Sequence, residues 1–161
     1  MNVDSQMIVT DKQACAEVRT DVNTSVRSLF AKQNYKINDV ISNFSWNEVF
    51  ETPTYLTVQI EEDKHIELIP KYLECINHSC EPNAFFDTKK KQLICIKPIN
   101  VGEEFTFFYP SAEWKMDQPF ECLCGSKDCI GFVRGAMHLS TSNKAAYRFT
   151  NFIQQKLKNS I

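Results

Sequence analysis

Three thiols fall within eight residues in the last quarter of the chain, in Cys122-Leu123-Cys124-Gly125-Ser126-Lys127-Asp128-Cys129. Such spacing suits zinc, which takes four tetrahedral ligands and favours sulfur, so the trio asks for one more donor. Gly125 lets the backbone fold back between the thiols. A bound metal would supply the order that a short glycine-bearing tail cannot draw from a core of its own. Spacing alone leaves Cys15, Cys75, Cys80 and Cys95 open as the fourth ligand. The surroundings of Cys15, Cys75 and Cys95 are apolar or strand-like, which suits a buried free thiol. Cys80 lies in a polar turn before Glu81-Pro82 and is the preferred candidate.

A second dense stretch runs from Tyr72 to Tyr109. It contains the polar run Asn77-His78-Ser79-Cys80-Glu81-Pro82-Asn83 and closes on the aromatic segment Glu104-Phe105-Thr106-Phe107-Phe108-Tyr109. Phe85, Phe86, Phe105, Phe107, Phe108 and Phe120 offer aromatic surface for an apolar channel, although most would serve equally as core.

These groups sit in a chain of 161 residues, one domain by length, with 43% hydrophobic and 24% charged residues. A net charge of −2 and a pI near 5.9 argue against general binding to nucleic-acid phosphates and leave a basic peptide unrepelled. No run of about 18 apolar residues marks a membrane span, and the first residues lack the pattern of a signal peptide. Seven cysteines cannot all pair within one chain, so an intracellular metalloprotein, cytoplasmic or nuclear, is expected rather than a secreted disulfide scaffold.

The elements that must position the site read as short strands. Strands are expected over 6–10 and 14–19 around a polar turn at 11–13, over 25–31, and from Val40 to Phe44. A hairpin is expected across Thr54–Ile69 with its tip at 61–64, and another pairs 84–87 with 92–97 across Thr88-Lys89-Lys90-Lys91. A last strand runs over 104–109. Ala145, Ala146, Phe149, Phe152, Ile153 and Leu157 recur at helical spacing, predicting one amphipathic helix over 143–158 capped by Ser140 or Ser142. The fold class is therefore mostly β, several small sheets with a C-terminal α-helix. That helix packs on the body or on a second copy, which leaves a homodimer open.

Three motifs in order, Asn77-His78-Ser79-Cys80-Glu81-Pro82-Asn83, Gly102-Glu103-Glu104-Phe105-Thr106-Phe107-Phe108-Tyr109 and the Cys122–Cys129 trio, resemble the signature of SET-domain protein-lysine methyltransferases. The likeness is to short stand-alone members with a post-SET zinc tail. It implies a β-clip fold with a pseudoknot, divided into a SET domain at 1–121, a zinc tail at 122–138 and the helix at 139–161, in one compact unit. It implies S-adenosylmethionine as methyl donor, bound by Arg27, Ser28, Leu29, Asn77, His78 and Tyr109, with Tyr109 at the reaction centre. It implies Zn2+ held by Cys80, Cys122, Cys124 and Cys129. Phe86 and Phe107 match channel positions where phenylalanine rather than tyrosine permits di- or trimethylation. The implied partner is a protein or peptide, histone or otherwise, that presents a lysine, with no direct contact to nucleic acid or membrane.

The sequence departs from the family at Val26 and Ser28, where glycines usually lie against the methyl donor. Phe108 replaces an acidic residue common before the tyrosine, and Ile130 stands where arginine is frequent. The lost glycines motivate two alternatives: a degenerate SET fold serving as a binding module, and a methyltransferase of a small amine.

Overall fold

The computed structural model describes residues 6–160. Among the described residues, three three-stranded sheets and two two-stranded ribbons carry the fold. The first sheet is a meander of β1 (Met7–Lys12), β2 (Ala16–Asp21) and β3 (Arg27–Ala31), in that order. Polar residues 11–12 expected in a turn belong to β1 instead, because β1 is a largely exposed edge strand that tolerates them; the turn falls at 13–15. The second sheet sets β4 (Val40–Asn43) beside β10 (Gln92–Cys95), which also pairs with β9 (Ala84–Asp87). The lysine run forms the β9–β10 turn, with Lys91 at φ 55°.

The third sheet, in the order β5-β7-β6, is smaller than the hairpin expected over 54–69. It comprises β5 (Val49–Phe50), β6 (Val58–Glu61) and β7 (Lys64–Ile66). Residues 54–57 turn instead of extending. The Thr57 hydroxyl donates to Thr54 O at 3.0 Å and accepts from Thr54 N at 2.9 Å, so a side chain takes the bonds a strand partner would have had.

A parallel pair, β8 (Asn77–His78) with β11 (Thr106–Phe107), joins the two halves of the polar–aromatic stretch. The Asn83 side chain extends that pairing: its amide donates to Glu104 O at 2.8 Å and its carbonyl accepts from Thr106 N at 2.9 Å. The strand expected over 104–109 is thus only two residues long. Pro110 has no N–H to give a ladder, and Tyr109–Ser111 closes as a 3-10 turn.

The ribbon of β12 (Phe120–Glu121) and β13 (Phe132–Val133) flanks the tail thiols. The single helix expected over 143–158 is two, α1 (Thr141–Ala146) and α2 (Asn151–Asn159). Ser140 caps α1 by accepting from Asn143 N at 3.1 Å. The break at 147–150 is set by tertiary partners. Tyr147 stacks on Phe108 with ring centroids 3.7 Å apart and planes 5° from parallel, and its hydroxyl donates to Cys80 O at 2.8 Å. A continued helix would withdraw it from both.

Two apolar clusters result. The larger holds Leu29, Leu73, Phe86, Leu93 and Phe105 between the sheets. The smaller gathers Cys80, Phe108, Cys122, Val133 and Ile153 around the tail and α2, and Tyr109 touches both.

Candidate active site and metal centre

The four preferred thiols converge. The sulfurs of Cys80, Cys122, Cys124 and Cys129 all lie within 4.8 Å of one another. Cys80 Sγ is 3.8 Å from Cys122 Sγ and 3.9 Å from Cys129 Sγ. A tetrahedron with Zn–S bonds of about 2.3 Å has sulfur–sulfur edges of about 3.8 Å, so the spacing fits zinc and excludes a disulfide. Gly125, at φ 73°, turns the backbone inside the cluster. The N–H groups of Ile130 and Gly131 approach the Cys80 and Cys129 sulfurs at 3.5 Å, as suits thiolates. Burial raises the thiol pKa of Cys80 and pushes that of Cys122 up to about 11, so a cation must displace their protons on binding. Cys75 and Cys95 are buried elsewhere, and Cys15 packs against the larger core.

His78 ties this cluster to Tyr109. Its Nδ1 accepts the Tyr109 N–H at 3.1 Å, which leaves the ring proton on Nε2, 3.3 Å from Cys80 Sγ. Desolvation lowers the His78 pKa to about 4, and its ring lies among Phe108, Tyr109 and Phe120 at 5.3–5.7 Å. The imidazole is therefore neutral.

Tyr109 stands where two cavities meet. One, of about 310 Å³, is walled by Leu56, Val58, Leu73, Ile76, Phe107 and Phe120. Its acidic lining residues are Glu74, Glu113 and Asp117, and among the described residues no lysine, arginine or histidine lines it. The other, of about 260 Å³, is bounded by Ser25, Val26, Arg27, Cys75 and Asn77. Tyr55, Leu56, Glu74 and Tyr109 border both. The Tyr109 hydroxyl donates to Ile76 O at 3.2 Å, and its pKa is pushed up to about 12 by burial, with the Glu104 charge adding to it. It remains a phenol at neutral pH.

The other expected residues are distributed unevenly. Phe107 lies on the first cavity's wall, 4.7 Å from the Tyr109 ring. Phe86 is fully buried one layer behind it, edge-on to Phe107 at 4.9 Å. Arg27 and Asn77 border the second cavity, whereas Leu29 is fully buried with its carbonyl bonded to Phe105 N at 2.8 Å. The Asn77 amide reaches Arg27 O at 2.9 Å, Ser28 Oγ at 2.8 Å and Glu104 Oε1 at 3.1 Å. Ser28, standing where the family has glycine, thus turns its hydroxyl to Asn77.

Neither Val26 nor Ser28 needs glycine's conformational freedom: the positive φ in this turn belongs to Ser25, at 60°. Among the wall residues, Tyr55, Glu74 and Glu113 carried no motif and were missed. Their segments are far apart in sequence and only folding brings them to one cavity.

Comparison with known proteins decides the family. A family model described as SET domain matches residues 26–110. The chain belongs to the SET-domain family. Relatives of this SET domain include methyltransferase flvH of Aspergillus flavus, 43% identical over 96 residues, covering 58% of this chain and 53% of that protein. A histone-lysine N-methyltransferase of Aspergillus oryzae, H3 lysine-4 specific, is 30% identical over 129 residues, 65% of this chain and 10% of that enzyme. An H3 lysine-36 specific enzyme of Chaetomium globosum is 31% identical over 74 residues, 42% of this chain and 8% of that enzyme. The chain thus spans about half the length of flvH and a small part of the histone enzymes. Methyltransferases of the SET family use S-adenosylmethionine, and no helix among the described residues is long and apolar enough to cross a membrane.

Proposed function

We propose that this SET domain transfers a methyl group from S-adenosylmethionine to an aliphatic amine, the side chain of a lysine presented by a protein or peptide. The observation that carries the reading is the position of Tyr109 between two cavities, one largely apolar with acids as its only charged lining residues among the described residues, the other flanked by Arg27 and Asn77. In this reading the second cavity takes the methyl donor and the first takes the amine. Bound there, S-adenosylmethionine supplies an electrophilic methyl on a sulfonium.

The chain's own residues do the rest. Lysine is an ammonium at neutral pH, with an ordinary pKa of about 10.4. The walls of Phe107, Phe120 and Leu73 desolvate it, which favours the neutral nucleophile. Tyr109, held by its N–H to His78 and its hydroxyl to Ile76 O, fixes the approach of the nitrogen, and alignment supplies much of the rate of a displacement. Cys80, Cys122, Cys124 and Cys129 would hold zinc as a structural ion, which would order 122–129; Cys80 in turn contacts His78, which holds the Tyr109 backbone.

Titration calorimetry with S-adenosylmethionine is the first test; no binding at high micromolar ligand sinks the enzyme reading. Tyr109→Phe is expected to lower turnover about 100-fold with donor affinity retained. Phe107 presents no hydroxyl to an incoming amine, which supports di- or trimethylation. Phe107→Tyr is expected to shift products toward monomethyl by mass spectrometry. A wild type making only monomethyl product, unchanged by this substitution, removes that part.

A second reading, methylation of a small amine, draws support from flvH, whose name specifies no protein substrate. Labelled donor with histones, cell lysate and free amino acids in turn separates the two.

A further inference from the structure

The lysine run of the β9–β10 turn and the break between α1 and α2 meet at a groove that methyl transfer, as described above, does not use. The groove has a volume of about 960 Å³ and shares no lining residue with the two cavities at Tyr109. Four cations line it: Lys89 from the turn, Lys144 from α1, Arg148 from the break and Lys158 from α2. Asp87 is the one acid among the described lining residues, and it is already paired with Arg148 at 3.5 Å. Among the described residues Lys89, Lys144 and Lys158 form no ion pair.

Other lysines of the chain stand beside acids: Lys71 between Glu67 and Glu74, Lys97 with Glu81, Lys156 with Glu62. Even within the lysine run, Lys91 lies over the Trp46 ring at 4.5 Å and does not line the groove. Gathering four cations around one acid therefore runs against the net charge of −2. Like charges placed together repel, and an anionic occupant relieves that repulsion. Arg148 is the fixed member of the set. Its guanidinium carbon sits 4.1 Å from the Phe85 ring centroid, and Asp87 is its one side-chain partner among the described residues. The planar fork is thus already oriented, with N–H donors left for a second carboxylate. Ala145, Phe149 and Leu157 line the same groove and add apolar surface beside the charges.

We propose that this groove docks an acidic segment of a partner protein, its carboxylates meeting Lys89, Lys144, Arg148 and Lys158 and its apolar side chains meeting Phe149 and Leu157. Charge complementarity sets the sign of the occupant, and the lining sets its class. Single-stranded nucleic acid is held by free aromatic faces on which bases stack. Here Phe85 is only 4% exposed and lies under Arg148, Tyr147 gives one face to Phe108 at 3.7 Å, and Phe149 packs against the smaller core. A duplex binder carries a basic surface on a basic domain, and this chain is acidic overall. A peptide with carboxylates and a few apolar side chains matches both halves of the lining. The groove recruits a partner; it is not the place of reaction.

The test uses the full chain at low ionic strength and a fluorescein-labelled peptide of glutamates interspersed with leucines, followed by polarisation. A control peptide carries glutamine for every glutamate. The wild type is expected to bind the glutamate peptide about tenfold more tightly than the control, and added salt is expected to weaken that binding. Lys144→Glu and Lys158→Glu in one chain are expected to abolish the preference. Lys89→Glu, confined to the exposed turn, is expected to reduce it without touching the helices. Lys12→Glu with Lys36→Glu makes the same change of net charge at exposed positions outside the groove and is expected to leave the preference intact. A wild type that binds both peptides equally, or neither, overturns the proposal. Groove variants that melt like the wild type and keep the full preference overturn it as well. So does an equal loss in the Lys12 and Lys36 pair, which marks a response to net charge alone. Labelled oligothymidylate bound more tightly than the glutamate peptide overturns the peptide assignment in favour of nucleic acid.

Discussion

At the scale of single residues, two buried titratable groups have opposite consequences. His78 is held by one nitrogen on the Tyr109 backbone and faces a zinc-ligand candidate, Cys80, with the other. Replacing such a supporting histidine typically costs a metal site 10–100-fold in affinity, and His78→Phe is expected to do so in chelator competition. Glu113 acts on stability through pH. Its folded pKa is raised above the unfolded value, so its neutral form is accommodated at low pH. Stability is then lost as pH rises through the folded pKa. Glu113→Gln removes that loss. The variant is expected to melt progressively above the wild type as pH rises above the ordinary glutamate range. A difference independent of pH would mean that the carboxyl is already solvated or paired.

At the scale of elements, the tail and the helix pair act as one clamp. Cys80 comes from the loop after β8, while Cys122, Cys124 and Cys129 come from the tail at β12–β13, so a shared metal crosslinks segments some forty residues apart. The break between α1 and α2 places Tyr147 over Phe108 and under Cys80 O. Tyr147→Phe keeps the stack and loses one hydrogen bond, and is expected to cost about 1 kcal/mol in denaturant unfolding. Metal analysis is expected to find one zinc per chain. Its removal by chelator should disorder 122–129 first, seen as selective proteolysis of the tail, and Cys80→Ser should reproduce that pattern.

At the scale of the molecule, Tyr109 is where the two apolar clusters touch, so packing on either side bears on the same side chain. The sheets position β3 and β8 at one cavity; the tail and α2 hold the Glu113 turn at the other. That arrangement explains why the strand pattern was legible and the cavity walls were not. Partial alternation in 16–21 and the short apolar runs of 84–87 and 92–95, each buried at three consecutive positions, are local information. Tyr55, Glu74 and Glu113 reach the cavity from a turn, a 3-10 segment and the loop after Tyr109, and no spacing links them.

The amino-acid sequence by itself carried the family motifs, the thiol trio of 122–129 and a preference for Cys80 beside it. It also located the tyrosine and the mostly β character, because each depends on residue types at short range or on a pattern of few alternatives. Tertiary structure decided three other matters. The tail helix breaks at Tyr147 because stacking on Phe108 outweighs the apolar periodicity that would have continued it. Val26 and Ser28 are accommodated because the left-handed turn falls one residue earlier, at Ser25, and the Ser28 hydroxyl finds Asn77. Glu113 became visible only once folded, since a carboxyl's burial and lack of partners are properties of its neighbours and not of its own place in the chain.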